Sequence, residues 1–174
     1  ESFLDIGYGK KIITDPKYKN LLFCRGIYVC KLPDEYEFGY DLPVDLDRDR
    51  RLADPWSLSY EVREALITAV SRKMISAEKM LDVLENNPSC GESQVFANET
   101  YNSSYGETER FREGVVSAFT EKYGEDAIAV KSMGDSMEAK HHGLKGVVVP
   151  APLQQIFEAQ EGSFEELKAS KATD

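Results

Sequence analysis

The chain has 174 residues, 41% of them apolar and 30% charged, which suits a folded domain with one sizeable core and excludes a disordered or fibrous polymer. Acidic residues outnumber basic ones by 31 to 21, and the formal net charge of −10 argues against binding nucleic acid through its phosphate backbone. No apolar run is long enough to span a bilayer, the start lacks a signal-peptide layout, and the three cysteines (Cys24, Cys30, Cys90) have no metal-type spacing, so a cytoplasmic protein with reduced core cysteines and no membrane partner is expected.

The N-terminal third reads as β-rich. Lys10 to Thr14 forms a short strand, and Asp15-Pro16 begins a polar turn. Leu21 to Cys30 carries the strongest strand signal, with Gly26 marking a bulge or a close backbone approach and Cys24 and Cys30 facing the same way. An acidic, aromatic stretch follows through Tyr36, Phe38 and Tyr40. Val44 to Leu52 alternates apolar and charged residues, as an edge strand or an extended loop does.

Asp54-Pro55 is a helix start, with aspartate as cap and proline in the first turn. The helical period runs to about Met74. Ser76 caps a second helix, which Asn86-Asn87-Pro88 stops. Residues 88–105 are polar and are expected to contact a partner or move; the sequons at Asn98 and Asn102 need a secretory route and carry no weight here.

Thr108 to Tyr123 is amphipathic, with Phe111, Val115 and Phe119 at four-residue steps and Gly124 closing it. Ala127 to Val130 is a strand, Asp135 to Gly143 a short helix capped by Asp135 or a neighbour, and Gly146 to Val149 a second strand. Leu153 to Ala159 is a further helix. The fold class is therefore α+β: a β-rich N-terminal third, central helices and a C-terminal parallel β-α-β crossover. Residues 1–160 read as one mixed module, excised from a larger protein because the chain opens on Glu1 without an initiator methionine, and 161–174 as a charged tail.

Four groups of residues bear on chemistry. Gly134-Asp135-Ser136-Met137, followed by Gly143-Leu144 and the strand from Gly146, resembles the serine-bearing turn of LexA/UmuD-type self-cleaving peptidases, in which an uncharged lysine removes the hydroxyl proton. The lysines available downstream are Lys168 and Lys171, in a polar tail that supplies no burial to lower their pKa. Ser136 is accordingly expected in the first turn of a helix, with catalysis as the alternative. Asp45, Asp47 and Asp49 share one face if their segment is extended, and with Asp41 they cluster carboxylates. Arg48, Arg50 and Arg51 neutralise them, and no calcium-loop spacing is present, so a charge-paired lattice that docks another segment is expected and no metal site. His141 and His142 point about 100° apart on a helix and cannot share a metal. Gly7-Tyr8-Gly9-Lys10-Lys11 frees backbone amides beside lysines that can meet an anion.

Residues 20–33 (NLLFCRGIYVCKLP), 38–51 (FGYDLPVDLDRDRR) and 123–150 (YGEDAIAVKSMGDSMEAKHHGLKGVVVP) resemble, in that order, the region following the ATP-binding domain in phage-associated GHKL proteins of the gyrase, Hsp90 and MutL type, relatives of the phage rII A protein included. The Asn-bearing helix and Gly-rich loops of that family's nucleotide site are missing from this sequence. The resemblance therefore implies a non-catalytic, transducer-like module with no cofactor of its own. ATP and Mg²⁺ would belong to the parent protein, and the parent's ATP-binding domain or a second copy of the chain would be the partner. It further implies a β-α-β crossover and a lysine lent to the terminal phosphate, for which Lys10, Lys11 and Lys145 are the candidates. A plain protein-binding adaptor without any nucleotide link is the third reading.

Overall fold

Two β-hairpins open the chain in the computed structural model, which describes residues 2–97 and 106–158. β1 (Phe3–Gly7) and β2 (Lys10–Ile13) pair antiparallel, with Gly7, Tyr8 and Gly9 at positive φ in the turn. A 3-10 turn at Pro16–Tyr18 follows, capped by the Asp15 carboxylate. β3 (Leu21–Cys24) and β4 (Ile27–Lys31) form the second hairpin. Its two connecting residues, Arg25 and Gly26, both have positive φ, 55° and 80°, the backbone of a turn whose twist matches that of the strands it joins.

This hairpin corrects the reading of 21–30 as a single strand. Gly26 is half of a turn, and the ten-residue run conceals it because Arg-Gly lacks the Asn or Asp that ordinarily announces such a connection. Cys24 and Cys30 consequently lie on partner strands. Both pack against the main core, and all three cysteines are free thiols.

β5 (Gly39–Asp41) joins the hairpins. The sheet order is β1-β2-β5-β3-β4, with β5 antiparallel to β2 and parallel to β3. Three residues thus occupy the middle of the sheet. Residues 44–52, by contrast, form a loop closed by an isolated bridge between Leu46 and Leu52. Inside it the Asp47 carboxylate accepts the amides of Asp49 and Arg51, each at 2.8 Å.

The inner face of the sheet carries Ile6, Ile12, Leu22, Cys24 and Tyr40, all buried. α1 (Pro55–Ser71) lies on it, started by Asp54 accepting the Trp56 amide with Pro55 in the first turn. Ser76 caps α2 (Ala77–Asn86) through the Lys79 amide. α4 (Gly106–Tyr123) packs on both helices with Phe111, Val115, Ala118 and Phe119, so the four-step series points inward as its period requires. Between α2 and α4 stands α3 (Gly91–Gln94). It overturns part of the expectation for the polar stretch: Cys90, Gly91, Glu92, Ser93, Val95 and Phe96 are buried, whereas 98–105, with both sequons, lies outside the described residues.

β6 (Ala127–Val130) and β7 (Lys145–Val148) pair in parallel through α5 (Met133–His141), the expected crossover. Alternation divides β6 between two clusters: Ala129 joins the main core, while Ile128 and Val130 pack with Ala139 of α5. α6 (Ala151–Glu158) returns Leu153, Ile156 and Phe157 to the main core. That core runs from Ile6 to Phe157, so both ends of the described chain share one interior. Among the described residues no helix is long and apolar enough to cross a membrane.

A Cβ added at Gly91 would stand 2.2 Å from the Tyr36 ring, whereas one added at Gly114 of α4 would meet Ala77 at an ordinary 3.5 Å. Gly91→Ala is expected to lower the free energy of unfolding in urea by about 1–3 kcal/mol. Gly114→Ala is expected to leave it unchanged or raise it by up to about 1 kcal/mol, since alanine favours the helix.

Candidate functional site

The outer face of the five-stranded sheet holds the described residues best suited to recognition. Residues alternate across each strand, so the face opposite Ile12, Leu22 and Tyr40 receives Lys11 and Ile13 from β2, Phe23 from β3 and Asp41 from β5. Tyr18, Phe23 and Tyr28 form an edge-to-face ladder, with centroids 5.9 and 5.8 Å apart. Phe3 and Tyr28 remain 39% and 53% exposed. These rings flank a cleft of about 240 Å³ that Phe3, Lys11, Ile13, Tyr18, Phe23 and Asp41 line.

Asp41 is the polar feature of this cleft. Its side chain is buried, 6% exposed, and Oδ2 accepts the Gly26 amide at 2.9 Å. The Arg25-Gly26 turn is thereby tied to the central strand. Oδ1 is also buried, yet it accepts no hydrogen bond. A buried acceptor without a donor is costly and uncommon in folded proteins. Two lysines rest on the neighbouring rings: Lys11 Nζ lies 5.1 Å from the Phe3 centroid and Lys17 Nζ 5.6 Å from that of Tyr18.

A clasp around Glu92 holds β5, and with it Asp41, in position. Glu92 is fully buried. Its Oε1 accepts the Glu37 amide at 2.8 Å; Oε2 accepts the Phe38 amide at 3.1 Å and the Tyr40 hydroxyl at 2.7 Å. The Gly91 amide donates to the Glu35 carbonyl at 2.8 Å, and the Asn87 side-chain amide to Glu37 Oε1 at 2.7 Å. Asn20 completes the anchorage by accepting the Tyr36 amide. Burial lifts the Glu92 carboxyl above its ordinary pKa, and the donors around it draw it part of the way back. Burial, followed by the neighbouring Glu92 charge, pushes the Tyr40 phenol well above its usual value.

The residues singled out from sequence lie apart from one another. Ser136 sits in the second turn of α5, whose cap is Ser132, accepting the Asp135 amide. The Ser136 hydroxyl donates to the Gly146 carbonyl at 2.7 Å, fastening α5 to β7 where a Cβ on Gly146 would stand 2.7 Å from Ser136 Cα. Lys168 and Lys171 lie outside the described residues. Asp45, Asp47, Asp49, Arg48, Arg50 and Arg51 are all exposed. Among the described residues no ion pair joins them, and the Asp47 carboxylate is engaged by the amides of Asp49 and Arg51. Lys10 Nζ makes an ion contact with Glu61 Oε1 at 2.9 Å, Lys11 borders the cleft, and Lys145 Nζ lies 5.6 Å over the Tyr123 ring. His141 is exposed at the end of α5. Among the described residues no His, Cys, Asp or Glu cluster is arranged to hold a metal.

Sequence reasoning missed Glu92 and the ring cluster, and it placed Asp41 with the wrong neighbours. The signal for Glu92 is a lone carboxylate among small residues, Ser89 to Ser93, followed after Gln94 by Val95 and Phe96. For Asp41 it is the join between an aromatic stretch and Leu42.

The raised Glu92 pKa fixes a sign. Between the unfolded value near 4.5 and the higher folded value, the native state binds more protons than the unfolded one, so this group's contribution to stability falls as pH rises through that window and is flat above it. Urea unfolding at a series of pH values should therefore show wild type losing stability relative to Glu92→Gln as pH rises from 4.5; a pH-independent difference there would contradict the assignment. For Ser136→Ala, the loss of one hydrogen bond predicts destabilisation of about 1 kcal/mol. Incubation of the wild-type chain near pH 10, followed by mass spectrometry, is expected to yield no self-cleavage fragments, and fragments that vanish in Ser136→Ala would restore the serine as a nucleophile.

Comparison of the chain with known protein families, with characterised proteins and with solved structures gives no match.

Proposed function

We propose that the chain is a non-catalytic interaction module, acting as the transducer-like segment of a larger GHKL-type ATPase. The observation that supports the interaction role is the open outer face of the five-stranded sheet, where Phe3 and Tyr28 expose apolar ring surface beside the Asp41 cleft. Exposed rings contiguous with a polar anchor mark contact surfaces more often than isolated apolar side chains do. The engaged Ser136 hydroxyl fits a structural part better than a nucleophile. The link to an ATPase comes from the sequence resemblance, and the β6-α5-β7 crossover that the resemblance implies is consistent with it.

The test joins Phe3→Ser with Tyr28→Ser, both on exposed positions. The isolated double variant should keep its stability to within about 1 kcal/mol, about 0.5 kcal/mol for each surface substitution. The parent ATPase carrying it should lose about tenfold in ATP turnover, equivalent to about 1.4 kcal/mol of activation free energy. Unchanged turnover would remove this face from the mechanism.

A further inference from the structure

We infer that the cleft beside Asp41 takes a basic side chain, an arginine or lysine, from a protein partner. The inference rests on the interaction-module reading and names the chemistry of the contact. Three observations carry it. Asp41 lines the cleft, and its buried Oδ1 lacks a hydrogen-bond donor, while Oδ2 is fixed by Gly26; the carboxylate is thus oriented by one oxygen and left unmatched at the other. The surrounding walls are aromatic, and ring faces attract cations through their quadrupole, guanidinium groups most of all.

The third observation is that the cleft's rings already hold cations. Lys11 lies over Phe3 and Lys17 over Tyr18, and neither is ion-paired to Asp41 in the structure. A guanidinium entering the cleft meets an oriented carboxylate and a ring face together, a pairing that an ammonium tethered on β2 or on the 3-10 turn leaves unmade. The net charge of −10 favours the approach of a basic partner over an acidic one. Lys11, the register partner of Asp41 across β2 and β5, then acts as an internal competitor for the same rings and the same carboxylate.

This competition separates the inference from the phosphate-contact role that the sequence resemblance gives to Lys11. The probe is an N-acetylated, C-amidated pentapeptide with a central arginine among alanines, titrated into the ¹⁵N-labelled chain, with the Gly26 amide as reporter because it bonds to Asp41. Saturable shifts are expected with arginine and none with a central glutamate. Asp41→Asn should weaken binding by at least about tenfold, and Lys11→Met should tighten it by about threefold by removing the competitor. Absence of saturable shifts, equal response to the glutamate peptide, or loss of binding in Lys11→Met would each overturn the inference. Lys11→Met retains both the carboxylate and the Gly26 bond, so the test stands even if Asp41→Asn fails to fold. Failure of the peptide to bind, with parent turnover still lowered by the Phe3→Ser/Tyr28→Ser pair, would reject the basic side chain and leave the module reading in place.

Discussion

A carboxylate taken out of water must be met by donors, and at Glu92 three donors from one short segment converge on it: the amides of Glu37 and Phe38 and the hydroxyl of Tyr40. Removing one partner of such a network strands the others, which makes it more demanding than its net contribution suggests. The geometry admits little variation. Tyr36 fills the space over Gly91 that a methyl group would need, so α3 and the segment leading into β5 fit closely at that point. Everything central to the sheet inherits that fit, because β5 supplies the pairing that makes two hairpins into one surface.

What could be read from sequence followed from local chemistry. Asp54-Pro55 and Ser76 announced α1 and α2 because capping side chains act within three residues, and the steps from Phe111 to Phe119 announced α4 because a helical period repeats within one element. The crossover from Ala127 to Val148 was legible for the same reason: short apolar strands and an intervening helix follow one another along the chain. β5 was not legible. It is three residues long, and its place is set by β2 and β3 on either side and by Glu92 more than fifty residues away. No window of sequence contains all of those partners.

The candidate site was missed for a related reason. Asp41 shares charge with Asp45, Asp47 and Asp49, and composition groups the four. Burial divides them: Asp41 is buried in a cleft that aromatic residues also line, while the other three stand in an exposed loop whose own backbone engages Asp47. The sheet likewise turns two unlike faces to its surroundings. One is closed by α1; the other combines rings, lysine stems and a single oriented carboxylate, and the affinity of such a surface depends on how few polar groups it leaves unmatched.

The insertion of β5 between the hairpins also sets how far along the chain the sheet must reach for its contacts. Each hairpin closes over a handful of residues, and the pairings that unite them, Ile12 with Tyr40 and Leu22 with Tyr40, are closer in sequence than the bonds to Glu92, which span 52 to 55 positions and carry the larger loop-closure cost. A nascent chain that has emerged only as far as Asp41 holds every strand of the five-stranded sheet and still lacks the carboxylate that pins its middle. All five strands are thus present in the chain before the residue that fastens the middle one.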